Sequence, residues 1–311
     1  MFVLDGAEIR RRAPMIRLVD SVAAAFRTKP VVPARQITPV PGGSGDRLFG
    51  LMPAFDLDGA GAVKLVTLFP DNAAAGRPTV QAAIVVFSET GTPMALLDGM
   101  EVTHLRTGAA SGLASRYLSK VNSAHLVIIG TGALAPSMAI AHCTVRPIVR
   151  VTVWGRRPDR AEVTAEIIRG RLSRGVEVCV AKALDEAVST ADIISCATSS
   201  SEPVLQGKWL SPGAFVDLVG SFSPTKREAD DAVMHRARIF VDTFEGALAE
   251  AGDILQPLER RVISRQRIEG ELSDLICGRV SGRTSEDEII VFKSVGSAIE
   301  DLAAARMIMA S

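Results

Sequence analysis

Three cations in the N-terminal half of the chain stand beside apolar sequence. Arg47 opens RLFGLMPA, Lys64 opens KLVTLF, and Arg106 lies near the start of THLRTGAASGLASRY. A single cation at a strand end is ordinarily just solvated. Three together can clamp a carboxylate, with arginine supplying a bidentate grip and lysine a compact charge. Asp71 and Asn72, which follow Phe69 and Pro70, and Gln81 in the next apolar run are weaker candidates for lining the same pocket.

A second constellation is the run GTGALA, which matches G-x-G-x-x-A with Gly130, Gly132 and Ala135 at the marked places. An apolar run at 126–129 stops at Gly130, a helical stretch follows, and a β-branched run at 151–154 comes next. Strand, glycine turn, helix, strand is the setting in which this pattern binds a dinucleotide. Gly130 allows the tight turn, Gly132 lets the backbone approach a pyrophosphate, and Ala135 lets the helix lie close on the strand. Ala133 and Leu134 complete the turn, and the helix N-terminus offers unpaired N–H groups to phosphate. An NAD enzyme usually places an acid at the end of the second strand, to hold the ribose 2′-hydroxyl. Here that point reads VWGRRPDR, and Arg156 and Arg157 suit a 2′-phosphate instead, so the expected cofactor is NADPH, with NADH possible. Ala197, Thr198 and Val219, near the ends of two later strands, are further candidate cofactor contacts.

The elements that must position these groups are legible in outline. A short apolar strand opens residues 2–27, Asp5 caps a helix, and a second helical pattern covers 15–26 before Pro30 and Pro33 break it. Strands are expected at 34–39 and 47–54, separated by the turn GGSGD, and again at 63–68, 80–88 and 94–99, forming a β-meander. A helix rich in small residues follows at 103–117. After the dinucleotide unit come a helix at 160–171, a strand at 176–180, a helix at 182–191, strands at 192–196 and 214–220, a helix at 225–236 and a strand at 237–243. Strands and helices alternating with short links imply a doubly wound parallel sheet. Residues 246–290 read as polar and mostly helical or irregular. The closing segment, VFKSVGSAIEDLAAARMIMA, reads as a strand and an amphipathic helix that leave the α/β order and return to the N-terminal domain. The expected division is 1–118 with 291–311 as one domain, and 119–290 as a Rossmann domain.

Bulk properties narrow the partners. The 311 residues suffice for two domains, and 35 basic residues balance 35 acidic ones, so no global field favours nucleic acid or an anionic membrane. Cys143, Cys179, Cys196 and Cys277 are far apart, and His104, His125, His142 and His235 match no triad or metal spacing; no metal is expected. Without a signal-peptide pattern or an apolar window long enough to span a bilayer, the chain reads as cytoplasmic with reduced thiols.

Seven stretches carry a resemblance over essentially the whole chain: RLFGLMPAF, KLVTLFPDN, QAAIVVFSETGTPMALLDG, LRTGAASGLAS, IGTGALA, LVGSFSP and VFKSVGSAIED. They resemble the ornithine cyclodeaminase/μ-crystallin family. The resemblance implies a homodimer with a split N-terminal domain (1–118 with 291–311) for substrate binding and dimerisation, and Arg47, Lys64 and Arg106 holding a substrate carboxylate near the nicotinamide. It also implies cofactor or pocket contacts at Thr107, Ser294 and Gly296. Ornithine cyclodeaminases carry an aspartate in the loop after the fifth Rossmann strand. Here that loop is GSFSP, with Phe222 at the acid's place and Ser221 and Ser223 beside it. The loop looks more like that of members reducing cyclic ketimine carboxylates, such as Δ1-pyrroline-2-carboxylate and Δ1-piperideine-2-carboxylate. The alternatives are a cyclodeaminase or alanine-type dehydrogenase, and a non-catalytic NADPH-binding protein.

Overall fold

The computed structural model describes residues 1–42, 47–172 and 175–311. The expected GGSGD turn falls largely on 43–46, outside the described residues. Two compact units emerge: Met1–Arg106 with Ala298–Ser311, and Thr107–Ser297.

The first unit contains β1 (Phe2–Leu4), α1 (Gly6–Arg12), α2 (Met15–Thr28), β2 (Gln36–Pro39), β3 (Leu48–Phe55), β4 (Gly61–Leu68), β5 (Val80–Phe87) and β6 (Pro93–Asp98). Asp5 caps α1 by accepting the Glu8 N–H. The sheet order is β1-β6-β5-β4-β3-β2, antiparallel from β2 through β6, with β1 added in parallel at the edge. Burial alternates along the strands, as it must when one sheet face is covered: Met52 and Ala54, Ala62 and Lys64, Ile84 and Val86, and Ala95 and Leu97 point to the buried side. Residues after Phe69 form a short 3-10 helix at Pro70–Ala75, where the sequence suggested only a loop.

Helix α3 (Gly99–Leu118) begins four residues earlier than its small-residue pattern suggests, and the division between the units falls within it. The second unit then runs through β7 (His125–Ile129), α4 (Ala135–Val145), β8 (Arg150–Trp154), α5 (Pro158–Arg171), β9 (Glu177–Val180), α6 (Leu184–Ser189), β10 (Ile193–Cys196) and β11 (Phe215–Leu218). It continues with α7 (Asp231–Arg236), β12 (Arg238–Val241), α8 (Phe244–Glu250), α9 (Gly252–Glu259), β13 (Ile268–Glu271), α10 (Leu272–Ile276) and β14 (Ile290–Lys293). The sheet order is β13-β12-β14-β11-β10-β7-β8-β9, with every described pairing parallel. This is the doubly wound Rossmann arrangement, extended at one side.

Three expectations change. Strand β14 was expected to leave with the C-terminal segment, but it inserts between β11 and β12. All four of its residues are buried, as a central parallel strand requires, so the second unit extends to Ser297 and not to 290. Within the stretch taken as helical or irregular, Ile268–Glu271 pairs with β12 as an edge strand. The helix expected at 225–236 is confined to Asp231–Arg236, because Arg227 and Glu228 are buried in non-helical backbone.

Helix α11 (Ala298–Met309) belongs to the first unit, against α2, β3 and β4. It is not amphipathic in the usual sense. Nearly every residue is buried, Glu300 and Asp301 included, while Arg306 reaches out to Asp56 and Asp58. No helix among the described residues is long and apolar enough to cross a membrane.

Candidate functional site

The first unit gathers two of the three expected cations. Lys64 lies mid-strand on β4, on the face covered by α11, and its Nζ sits 2.7 Å from Asp301 Oδ2. Arg106 donates from Nε to Asp301 Oδ1 at 2.9 Å and from Nη1 to Glu300 Oε2 at 2.6 Å. One carboxylate therefore bridges both cations. Lys64 is 4% exposed, Arg106 5% and Asp301 2%, so the cluster is out of bulk water and its ion pairs are little screened. Burial pulls the Lys64 ammonium down to about 8, with Arg106 adding to the fall and Asp301 opposing it. Burial opposes the charge on Arg106 too, but Asp301 and Glu300 outweigh it and hold the guanidinium above its usual value. The same two cations overcome burial at Asp301 and keep its carboxyl below the usual range.

Arg47 stands elsewhere in the unit. It precedes β3 at the end where Leu48 pairs with Leu68, about 17 Å along β4 from Lys64. There its Nη2 meets Asp71 Oδ2 at 3.2 Å and its guanidinium lies 5.2 Å from the Phe69 ring centroid. Asn72 ties its loop by donating to the Pro78 carbonyl. Gln81 is exposed on β5 opposite Thr67, and strand alternation puts it on the sheet face away from Lys64. Gln81 is therefore not placed with the cation cluster.

In the second unit the glycine turn has the geometry its sequence implies. Gly130 has φ +126°, and a Cβ there would meet the Ala197 carbonyl oxygen at 2.5 Å, so no other residue fits. A Cβ at Gly132 would meet nothing within 4 Å, which leaves the open approach a pyrophosphate needs. Ala135 is fully buried at the start of α4, while Ala133 is exposed and Leu134 half-buried. These residues fit a dinucleotide. At the end of β8, Arg157 pairs with the exposed Asp159 at 2.6 Å; Arg156, exposed beside it, makes no ion pair among the described residues. Ala197 and Thr198 follow β10, Val219 follows β11, and Thr107 is buried on α3. Phe222 is 48% exposed beyond β11.

The acids behind these loops belong to no motif in the sequence. Asp242 Oδ2 accepts the Ser294 hydroxyl and the Val295 and Gly296 N–H groups, and so shapes the turn after β14. Glu228 accepts N–H groups from Thr198 and Gly220. Asp217, inside β11, accepts from Ser111 and Ser195 and lies 3.0 Å from His142 Nε2, which gives that histidine a place in the core. The available signal was a charged residue enclosed by apolar strand sequence, as in FVDLV, IFVDTF and IIVFKSV, together with the Glu-Asp pair closing VGSAIED.

The sequence profile of the ornithine cyclodeaminase/mu-crystallin family matches residues 2–311. The chain belongs to this family. A Δ1-pyrroline-2-carboxylate reductase of Paracoccus denitrificans is 41% identical over 249 residues, covering 79% of this chain and 78% of its own. Among solved structures, the Δ1-pyrroline-2-carboxylate reductase of Thermococcus litoralis, in complex with NADH and L-proline, superposes with a TM-score of 0.93 at 35% identity, covering 99% of this chain and 96% of that one. An archaeal alanine dehydrogenase dimer with bound NAD gives 0.89 at 31% identity, covering 99% and 94%. The fold that the motifs implied is thus the fold of the family, and both of these structures hold a nicotinamide dinucleotide.

Proposed function

We propose that this protein is a reductase of cyclic imino acids, converting Δ1-pyrroline-2-carboxylate to L-proline, and Δ1-piperideine-2-carboxylate to L-pipecolate, with NADPH as the preferred donor. The observation that carries the reading is the buried Lys64–Arg106 pair, in a chain 35% identical along nearly its whole length to a reductase solved with NADH and L-proline. The Gly130–Gly132 turn and the start of α4 would hold the dinucleotide, which when bound would supply a hydride to the imine carbon. The remaining roles fall to the chain. Arg106 and Lys64 take the substrate carboxylate and fix the ring's orientation; Arg47, beyond the far end of β4 and paired with Asp71, is not part of that grip. Lys64, protonated below about 8, is the proton source for the imine nitrogen. Phe222 offers no carboxylate to remove protons from an open-chain amine, so cyclisation of ornithine lacks its base.

Assays of NAD(P)H oxidation with the two imino acids, beside NAD-dependent assays with ornithine, lysine and alanine, decide the matter. Reduction of the pyrroline without ammonia release from ornithine is expected. Ammonia release at a rate comparable to imine reduction would replace this reading with cyclodeamination, and turnover of alanine alone would replace it with an alanine-type dehydrogenase.

Cofactor choice is separately testable. A 2′-phosphate gains charge-assisted hydrogen bonds from the arginines after β8. Because Arg157 is already held by Asp159, Arg156 is the freer of the two. Arg156→Ala should raise the NADPH KM by about 10-fold or more while barely moving that for NADH, and Arg157→Ala should do less. Equal KM values for both cofactors in the parent protein would make these arginines a solvated turn. We further propose a homodimer working in the cytoplasm, where the four free cysteines stay reduced; a monomeric mass by light scattering would remove the dimer.

A further inference from the structure

Glu228 is fully buried in the loop before α7, yet nothing in the hydride transfer requires it. Its Oε1 accepts the Thr198 N–H at 2.7 Å. Its Oε2 accepts the Gly220 N–H at 2.8 Å and the Ser221 N–H at 3.3 Å. One carboxylate thus joins the loop leaving β10 to the loop leaving β11. The join is tight: a Cβ on Gly220 would stand 2.1 Å from the Thr198 carbonyl oxygen. The loop after β10 also abuts the fingerprint turn, because a Cβ on Gly130 would meet Ala197 O at 2.5 Å. Glu228 is held in turn by its surroundings. Asp253 of α9 accepts the Glu228 and Ala229 N–H groups, and Lys293 of β14 lies 3.0 Å from Asp253 and 3.9 Å from Glu228.

In an open parallel sheet the ligand lies beyond the carboxyl ends of the strands, and each half of the sheet takes one mononucleotide. The glycine turn after β7 and the arginines after β8 serve the pyrophosphate and the adenosine. The loops after β10 and β11 therefore fall to the nicotinamide half. We propose that Glu228 is a positioning residue for the nicotinamide half of the cofactor, its carboxylate fixing the Thr198 and Gly220–Ser221 loops in the one arrangement that accepts it. The proposal rests on the dinucleotide reading above.

The surroundings make this tie sensitive to pH. Burial pushes the Glu228 carboxyl up to about 7; Lys293 and the backbone N–H groups oppose the rise, while Asp253 adds to it. The buried Cys196 of β10, Asp217 of β11, Asp242 after β12 and Arg227 beside Glu228 are further charged or titratable groups of this core. Above about 7 the carboxylate accepts from both loops. Below it, the added proton turns one oxygen into a donor facing an N–H group, and the join weakens.

The test is NADH binding followed by fluorescence between pH 6 and 8.5, with ADP-ribose, which lacks the nicotinamide, titrated in parallel. NADH is the probe because it carries no 2′-phosphate to titrate in this range. The NADH Kd of the parent protein should rise as pH falls through about 7, while that of ADP-ribose stays nearly flat. Glu228→Gln should weaken NADH by about 10- to 100-fold at pH 8, the scale of a lost charge-assisted hydrogen bond, and should lose the pH dependence. An unchanged NADH Kd in this variant, or equal weakening of NADH and ADP-ribose, overturns the proposal and leaves the dinucleotide reading standing. If the variant fails to fold, a flat NADH profile in the parent overturns the proposal by itself. A parent protein that binds neither NADH nor NADPH overturns both.

Discussion

Arg106→Met is expected to lower the stability of the protein by roughly 3–5 kcal/mol, the cost of leaving buried charges without their partner. Arg106 answers two carboxylates, Asp301 and Glu300, both essentially inaccessible to water. Removing it leaves Lys64 alone against two acids. Thermal melting followed by circular dichroism should show a fall of several degrees. Adding Glu300→Gln to Arg106→Met restores neutrality, because Lys64 and Asp301 remain as a pair at 2.7 Å, and should recover much of the loss. Catalysis should not recover with it. Loss of a desolvated, charge-assisted contact to the substrate carboxylate costs about 2–5 kcal/mol, or roughly 30- to 4000-fold in kcat/KM. The double variant thus separates the ion-pairing role of Arg106 from its proposed grip on the substrate. Near-parental melting in the single variant would deny the buried cluster, and near-parental turnover in the double variant would deny the clamp.

The difference between what the sequence disclosed and what it hid follows from how each signal is written. Gly130 and Gly132 announce themselves because turn geometry and phosphate approach tolerate no side chain, and the flanking β-branched runs supply the context. The meander of β3 to β6 is legible through alternation, since one face of that sheet is covered. Strand β14 is legible as a strand but not in its place, because its insertion between β11 and β12 is set by pairing across the sheet and not by order along the chain. Lys64 and Arg106 were found as cations beside apolar sequence, but their anions were not. Asp301 and Glu300 lie 195 and 194 residues beyond Arg106 and farther still beyond Lys64, and Asp301 joins the cluster only through the packing of α11 on β4. Gln81 was misplaced for the opposite reason: proximity in sequence to the meander says nothing of the face until the register with Thr67 is known. Glu228 left almost no trace, since its partners are backbone N–H groups, which every sequence has.

Lys64→Met is expected to cut imine reduction by about 10²- to 10⁴-fold, the range for a missing general acid, while Lys64→Arg should keep the charge but not the proton transfer. The pH profile distinguishes that role from simple charge. Burial brings the Lys64 ammonium to about 8, far enough down to give up a proton readily and still mostly protonated at neutral pH. A donor works in its protonated form, so kcat/KM for reduction should hold below about 8 and fall tenfold per pH unit above it. In the reverse direction, oxidation of L-proline, the neutral amine is the competent form, and the rate should rise through the same point. Arginine at this position stays protonated throughout the range, so the Lys64→Arg variant should be slow and lack the limb near 8. A limb belonging to the imine nitrogen of the substrate would instead persist in that variant with its midpoint unmoved. That outcome would leave Lys64 as an anchor for the carboxylate and assign the proton to solvent.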